Sequence, residues 1–158
     1  MEDQEKKIKE AVSEFFEKMT MPVLDVAVEF SFVEKGEEKT EVISLDIKID
    51  DPPVLIGQQG QTLFEIQRIL RMVLNKKLGK TFYLNLDIDG YKKKKIEYLK
   101  YLVKDYADSV AMTGKEKELL PMSAYERRIV HAELSQRTDV KTESRGEGSE
   151  RHIVITPK

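Results

Sequence analysis

Apolar residues recur along this chain in two rhythms, and each change of rhythm marks an element. In residues 3–19, Ile8, Val12, Phe15, Phe16 and Met19 fall three or four apart among Lys and Glu, the spacing of one helical face. Pro22 limits that helix, because the residue before a proline is pushed out of helical geometry. The period then drops to two. Val23–Val33 reads as a strand with Val26, Val28, Phe30 and Phe32 on one face. Thr40–Ile49 reads as a second strand, with Ile43, Leu45, Ile47 and Ile49 alternating. Glu34–Glu38 is the predicted turn of an antiparallel hairpin. Asp50-Asp51-Pro52-Pro53 breaks the pattern, and Val54-Leu55-Ile56 is expected as a short helix before Gly57-Gln58-Gln59-Gly60. The helical period returns over 62–78 with Leu63, Ile66, Leu70, Val73 and Leu74 inward. Thr62 and Glu65 have the spacing of a capping box, in which each side chain satisfies a helix-start N–H of the other. Gly79 ends the helix. Phe82–Ile88 alternates as a strand.

Beyond Gly90, taken as the domain boundary, the helical period resumes over 91–112 with Ile96, Leu99, Val103, Tyr106, Ala107 and Val110 as its core stripe. Thr113-Gly114 ends it. Lys117–Leu120 is a short extended piece closed by Pro121. Ser123 and Glu126 form a second capping-box pair, opening a helix expected to reach Arg137. Thr138–Ser144 and Arg151–Thr156 read as strands about the turn Gly146-Glu147-Gly148. The predicted fold class is α+β in two domains: α-β-β-α-β over 1–90 and α-β-α-β-β over 91–158.

Composition narrows the chemistry. The 158 residues include no Cys and two His, at 131 and 152. Disulfides, thiolate nucleophiles, Cys-based metal sites and multi-His metal sites are thereby excluded, and no cofactor is implied. The opening MEDQEKKIKE has no apolar signal core, and no apolar run approaches a membrane span, so a cytoplasmic chain without membrane insertion is expected. The net charge of −2 conceals polarity. Residues 1–50 hold 14 acids and 7 bases, a net of −7, and residues 51–158 hold 15 acids and 20 bases, a net of +5. Local potential governs attraction to a polyanion more than the total does. Lys92–Lys95 is the densest basic run.

The first candidate element of chemistry is Gly57-Gln58-Gln59-Gly60. Glycines permit tight geometry and remove the Cβ atoms that would obstruct a nucleic-acid backbone, and the start of the next helix favours a phosphate. With Ile56 before it, an amphipathic helix after it and alternating strands on either side, the loop resembles that of a KH domain of the bacterial kind, over roughly residues 22–89. The resemblance implies a loop that clamps the backbone of about four nucleotides beside an apolar groove. KH loops commonly carry a basic residue at one central position. Here both are Gln, so weaker and less salt-sensitive binding is expected, with Arg68 and Arg71 on the following helix as compensating cations.

The second is Arg127-x-x-x-His131. Four residues apart on a helix, the two side chains share a face. A guanidinium can grip phosphate through its fork of donors, and an imidazole can stack on a base or donate to phosphate. The surrounding string is Leu120-Pro121-Met122, Tyr125-Glu126-Arg127-Arg128-Ile129-Val130-His131, Val140-Lys141-Thr142-Glu143-Ser144, Gly146, Arg151 and Val154-Ile155-Thr156-Pro157. It resembles the single-strand nucleic-acid-binding R-three-H domain, over residues 91–158. The resemblance implies Arg127 and His131 as the contact pair, with Arg128, Thr142, Ser144 and Arg151 beside the basic face and Lys92 and Lys93 adding attraction. His152 lies outside the motif and is expected to be structural.

A KH domain followed directly by an R-three-H domain resembles the Jag family, also called KhpB or SpoIIIJ-associated proteins. The resemblance implies a bacterial cytoplasmic RNA-binding protein, a post-transcriptional regulator linked to cell elongation and division. Some members pair with a small single-KH partner, KhpA. Two other functions fit the residues. The neutral Gln-Gln loop and the acidic first 50 residues suit a protein-interaction scaffold that dimerises through the KH fold, and the second module is also compatible with single-stranded DNA. Glu126, Arg127 and His131 could be drawn as an acid–base cluster, but Glu126 is a cap partner and no nucleophile accompanies them, so no enzyme is expected.

Overall fold

The computed structural model describes residues 2–35 and 38–158. The chain divides into two units, Met1–Lys92 and Lys93–Lys158, each with its own core. Both mix helices with one three-stranded sheet, so the fold is α+β, as the alternating periods imply.

In the first unit, helix α1 (Glu2–Lys18) buries Ile8, Ala11, Val12 and Phe16 and leaves its Lys and Glu in water, where they pair one turn apart. Met19, placed on the buried stripe by its spacing, lies beyond the helix end and is exposed. Strands β1 (Val23–Lys35) and β2 (Glu38–Ile49) pair antiparallel, with a register irregularity between Val23 and Asp25. The tip of their turn, Gly36 and Glu37, falls outside the described residues. Strand β3 (Tyr83–Ile88) runs parallel to β2, giving the order β1-β2-β3. Helix α3 (Gln61–Leu78) supplies the connection before β3 and contributes Leu63, Ile66, Leu70 and Leu74 to the core. Inward-facing Ile43, Leu45, Ile47, Leu84, Leu86 and Ile88 meet the helices on one side of the sheet. Fully burying a side chain of the size of Ile43 or Phe16 stabilises by about 1.5–3 kcal/mol.

A second residue expected on an apolar face also lies outside the core. Phe32 is 58% exposed. Strand β3 covers only Val42–Ile47 of β2, and Phe32 pairs with Glu41, beyond the last supported position. The hairpin therefore continues past the sheet as a two-stranded ribbon. The Lys39 ammonium lies 4.6 Å from the centre of the Phe32 ring, a cation–π contact that covers part of it.

The second unit is built on helix α4 (Tyr91–Thr113), whose first two residues belong to the first unit. It buries Leu99, Val103, Ala107 and Val110. Short strand β4 (Lys117–Glu118), helix α5 (Ala124–Leu134) and strands β5 (Val140–Arg145) and β6 (His152–Pro157) follow. The sheet order is β4-β6-β5, both pairs antiparallel, with β6 in the centre and Ile153–Thr156 buried throughout. Helix α5 ends at Leu134, three residues earlier than its pattern predicts. Arg137 instead anchors the turn into β5, donating 2.9 Å from Nε to Asp139 and pairing with Asp108 of α4.

Candidate nucleic-acid interface

The Gly-x-x-Gly segment joins α2 (Pro52–Ile56) to α3 through a 3-10 turn over Gln58–Gly60. Gly57 and Gly60 have φ of 70° and 83°, and Gln59 joins them in the left-handed region at 55°. Left-handed geometry costs a side-chain-bearing residue about 1–2 kcal/mol, so the glycines make this turn accessible. Each glycine also has a neighbour close to where a Cβ would stand. A Cβ on Gly57 would lie 2.0 Å from Thr62 Oγ1 and 2.7 Å from Thr62 Cβ, and one on Gly60 would lie 2.9 Å from the Tyr91 ring. Both glycines thus have an internal packing role, which the sequence reading of an open backbone did not anticipate. The central side chains, Gln58 and Gln59, face solvent.

The capping box expected at Thr62 and Glu65 is not formed. Helix α3 starts at Gln61 with left-handed Gly60 as its cap residue and no side-chain cap bond. Thr62 is already inside the helix, held against Gly57, and Glu65 bonds Gln61 (3.2 Å) and pairs with Arg68 (3.2 Å). That pair halves the compensation expected from this helix: Arg68 is neutralised locally, while Arg71 is exposed and makes no ion pair among the described residues.

Lys92, assigned by sequence to the second-domain face, is placed in the first unit. Its Nζ donates to Gln67 Oε1 at 2.9 Å and Asn85 Oδ1 at 2.8 Å, and its backbone N–H donates to Asp87. Burial lowers its pKa, against the pull of Asp87 upwards. Gln67 also accepts the Leu86 N–H, so this lysine closes the outer edge of β3. Its charge is spent inside the fold. Sequence gave no sign of it, because the partners are 25 and 7 residues away on different elements.

In the second unit the structure brings together most of what the sequence grouped. Ser123 accepts the Glu126 N–H and Glu126 accepts the Ser123 N–H, so the capping box is complete. Burial pushes Glu126 up, but bonds from Lys95 and Ser123 outweigh it and leave its carboxyl below the ordinary glutamate range. This fixed helix start orients α5. One turn later Arg127 donates from Nη1 to the Met122 carbonyl at 2.7 Å, its one hydrogen-bond partner for the side chain among the described residues. Four residues on, His131 packs against β5, with Nδ1 2.6 Å from Thr142 Oγ1 and Nε2 3.3 Å from Ser144 Oγ. Both ring nitrogens are engaged by hydroxyls. Contact with phosphate through either nitrogen would therefore require exchange for a hydroxyl, which leaves stacking as the chemistry that disturbs these bonds least.

Arg151 reaches the same neighbourhood through the backbone, its carbonyl accepting the Met122 N–H at 3.1 Å. The Arg127 side chain and the Arg151 carbonyl thus both bond to the backbone of Met122. Arg128 and Arg151 are exposed, and among the described residues neither they nor Arg127 and Lys93 form an ion pair. Arg137 and Arg145, which the motif leaves out, are both bound to carboxylates. His152 bonds the Glu150 carbonyl at 2.8 Å, as a structural residue would. Among the described residues no helix is long and apolar enough to cross a membrane.

Residues 97–157 match the R-three-H domain family. The chain is 36% identical over 149 residues to the RNA-binding protein KhpB of Clostridium symbiosum, covering 94% of this chain and 64% of that protein. It is 35% identical over 124 residues to the RNA-binding protein KhpB of Bacillus subtilis, covering 77% of this chain and 60% of that protein. The protein of the same name from Lactiplantibacillus plantarum is 33% identical over 102 residues, covering 65% of this chain and 32% of that protein. The chain spans less than two thirds of the length of these relatives.

Proposed function

We propose that the chain is of the KhpB kind, as its likeness to those RNA-binding proteins supports, and that it binds single-stranded RNA without catalysing a reaction on it. The observation that carries this reading is the face of α5, where the unpaired Arg127 and the ring of His131 sit one turn apart inside the segment matched by the R-three-H domain. Arg127 grips phosphate through the guanidinium donors that Met122 leaves over. His131 stacks on a base, held in place by Thr142 and Ser144. Arg128, Arg151 and Lys93 supply attraction. The first unit acts as a KH-type clamp, in which Gly57–Gly60 seats a backbone segment and Arg71 contributes charge. Two modest sites on one chain raise the overall affinity when both engage one strand.

The kinship also supports a bacterial, cytoplasmic role in post-transcriptional regulation linked to cell elongation and division, with a small KH protein or a second copy as partner. The test is fluorescence anisotropy with single-stranded RNA, single-stranded DNA and duplex at several salt concentrations. RNA is expected to bind best. Arg127→Ala is expected to cost about 1–3 kcal/mol of that binding. Absence of binding to all three near physiological salt overturns the function, and an unchanged affinity in folded Arg127→Ala removes that residue from the site.

A further inference from the structure

Helix α4 carries six lysines, and their fates differ. Lys92 is held by Gln67 and Asn85 in the first unit. Lys95 pairs with Glu126 at 2.7 Å, and Lys104 and Lys100 pair with Glu133 at 2.8 and 3.7 Å. Lys93 and Lys94 are exposed and, among the described residues, make no ion pair or hydrogen bond. On the same helix Tyr98 and Tyr101 are 63% and 72% exposed. Neither hydroxyl has a hydrogen-bond partner among the described residues. Lys94, Tyr98 and Tyr101 stand at i, i+4 and i+7, one face of a helix, turned away from buried Leu99, Val103 and Ala107. Lys93 flanks that face.

We propose that Tyr98 and Tyr101, with Lys93 and Lys94, form a second single-stranded RNA contact on α4, separate from Arg127 and His131. Tyr98 and Tyr101 are three residues apart, about 4.5 Å of rise along the helix axis, a spacing that lets their rings receive neighbouring bases. Every base has a face to stack, so the contact tolerates any sequence. The lysines meet the phosphates at its start. Glu97 and Asp105 lie on or beside the face and keep its net charge low, so stacking rather than charge supplies most of the binding. An exposed tyrosine pair with unpaired lysines beside it fits a polyanion with aromatic rings better than it fits an apolar protein surface. The proposal rests on the RNA-binding reading above.

The test is anisotropy of a labelled single-stranded oligouridine with the full chain. Tyr98→Ala with Tyr101→Ala is expected to weaken binding about ten-fold or more with an unchanged melting curve. Tyr98→Phe with Tyr101→Phe keeps the rings and is expected to retain affinity. Lys93→Ala with Lys94→Ala is expected to reduce the salt slope by about 1.4, while the tyrosine variant leaves the slope unchanged. If the wild type binds and the alanine pair binds equally well, the second contact is overturned and the RNA-binding function stands. Loss of affinity in the phenylalanine pair overturns stacking. A wild type that binds no RNA overturns both.

Discussion

The side chain that a glycine lacks is a measurable quantity at three positions in this chain. Gly57, Gly60 and Gly79 all have positive φ, but only the first two face a neighbour where a Cβ would stand. Gly79→Ala is expected to cost about 1–2 kcal/mol, the left-handed penalty alone. Gly57→Ala adds a collision with Thr62 Oγ1 and Cβ that side-chain rotation cannot relieve, and it is expected to cost at least about twice as much. Thermal or urea melts of the two variants check the difference. Equal costs would show that the loop yields freely. Sequence makes both glycines visible, but their reasons for being there lie in Thr62 and in Tyr91, which is 31 positions from Gly60. The same limit applies to cations. Arg68 and Arg71 read alike in the sequence, and only the position of Glu65 separates a neutralised arginine from an available one.

At the scale of elements, the helix starts show what periodicity conveys and what it does not. Two capping boxes were written in the same spacing, Thr62 with Glu65 and Ser123 with Glu126. Only the second forms, because the left-handed Gly60 draws the start of α3 back to Gln61 and puts Thr62 inside the helix. Strand and helix identities were legible throughout, since alternating Ile43, Leu45, Ile47 and Ile49 have one way to bury themselves. The extent of support was not: that Phe32 lies past the reach of β3 depends on the length of another strand. The Ser123–Glu126 box carries a pH dependence. The folded carboxyl of Glu126 titrates below its unfolded value, so its contribution is complete at neutral pH and is lost as pH falls through and below 4.5, the ordinary glutamate value. Glu126→Gln is expected to lower stability by about 1 kcal/mol at pH 7 and to flatten the acid side of the pH profile. Melts from neutral to acid pH check both. A profile identical to the wild type's would mean that another carboxylate sets the acid limb.

For the whole molecule, charge follows the division into units. Residues 1–92 carry 18 acids and 13 bases, a net of −5, and residues 93–158 carry 11 and 14, a net of +3. The counterion release that accompanies RNA binding is thus expected mainly from the second unit, with little from the uncharged Gln58-Gln59 loop. Gln58→Lys is expected to tighten RNA binding and to steepen its salt dependence by about 0.7 in the log–log slope. An unchanged slope would place the loop off the phosphate path. The order of the second sheet, β4-β6-β5, has a different sort of consequence, one of timing. Strand β6 comes after both strands that it joins, and neither neighbour pairs with the other. During synthesis β4, α5 and β5 leave the ribosome with no sheet to enter, and Thr142 and Ser144 lack the support that holds them under His131. The sheet of the second unit is thus expected to form only when β6 arrives, whereas the β1–β2 hairpin of the first can pair as soon as it is made.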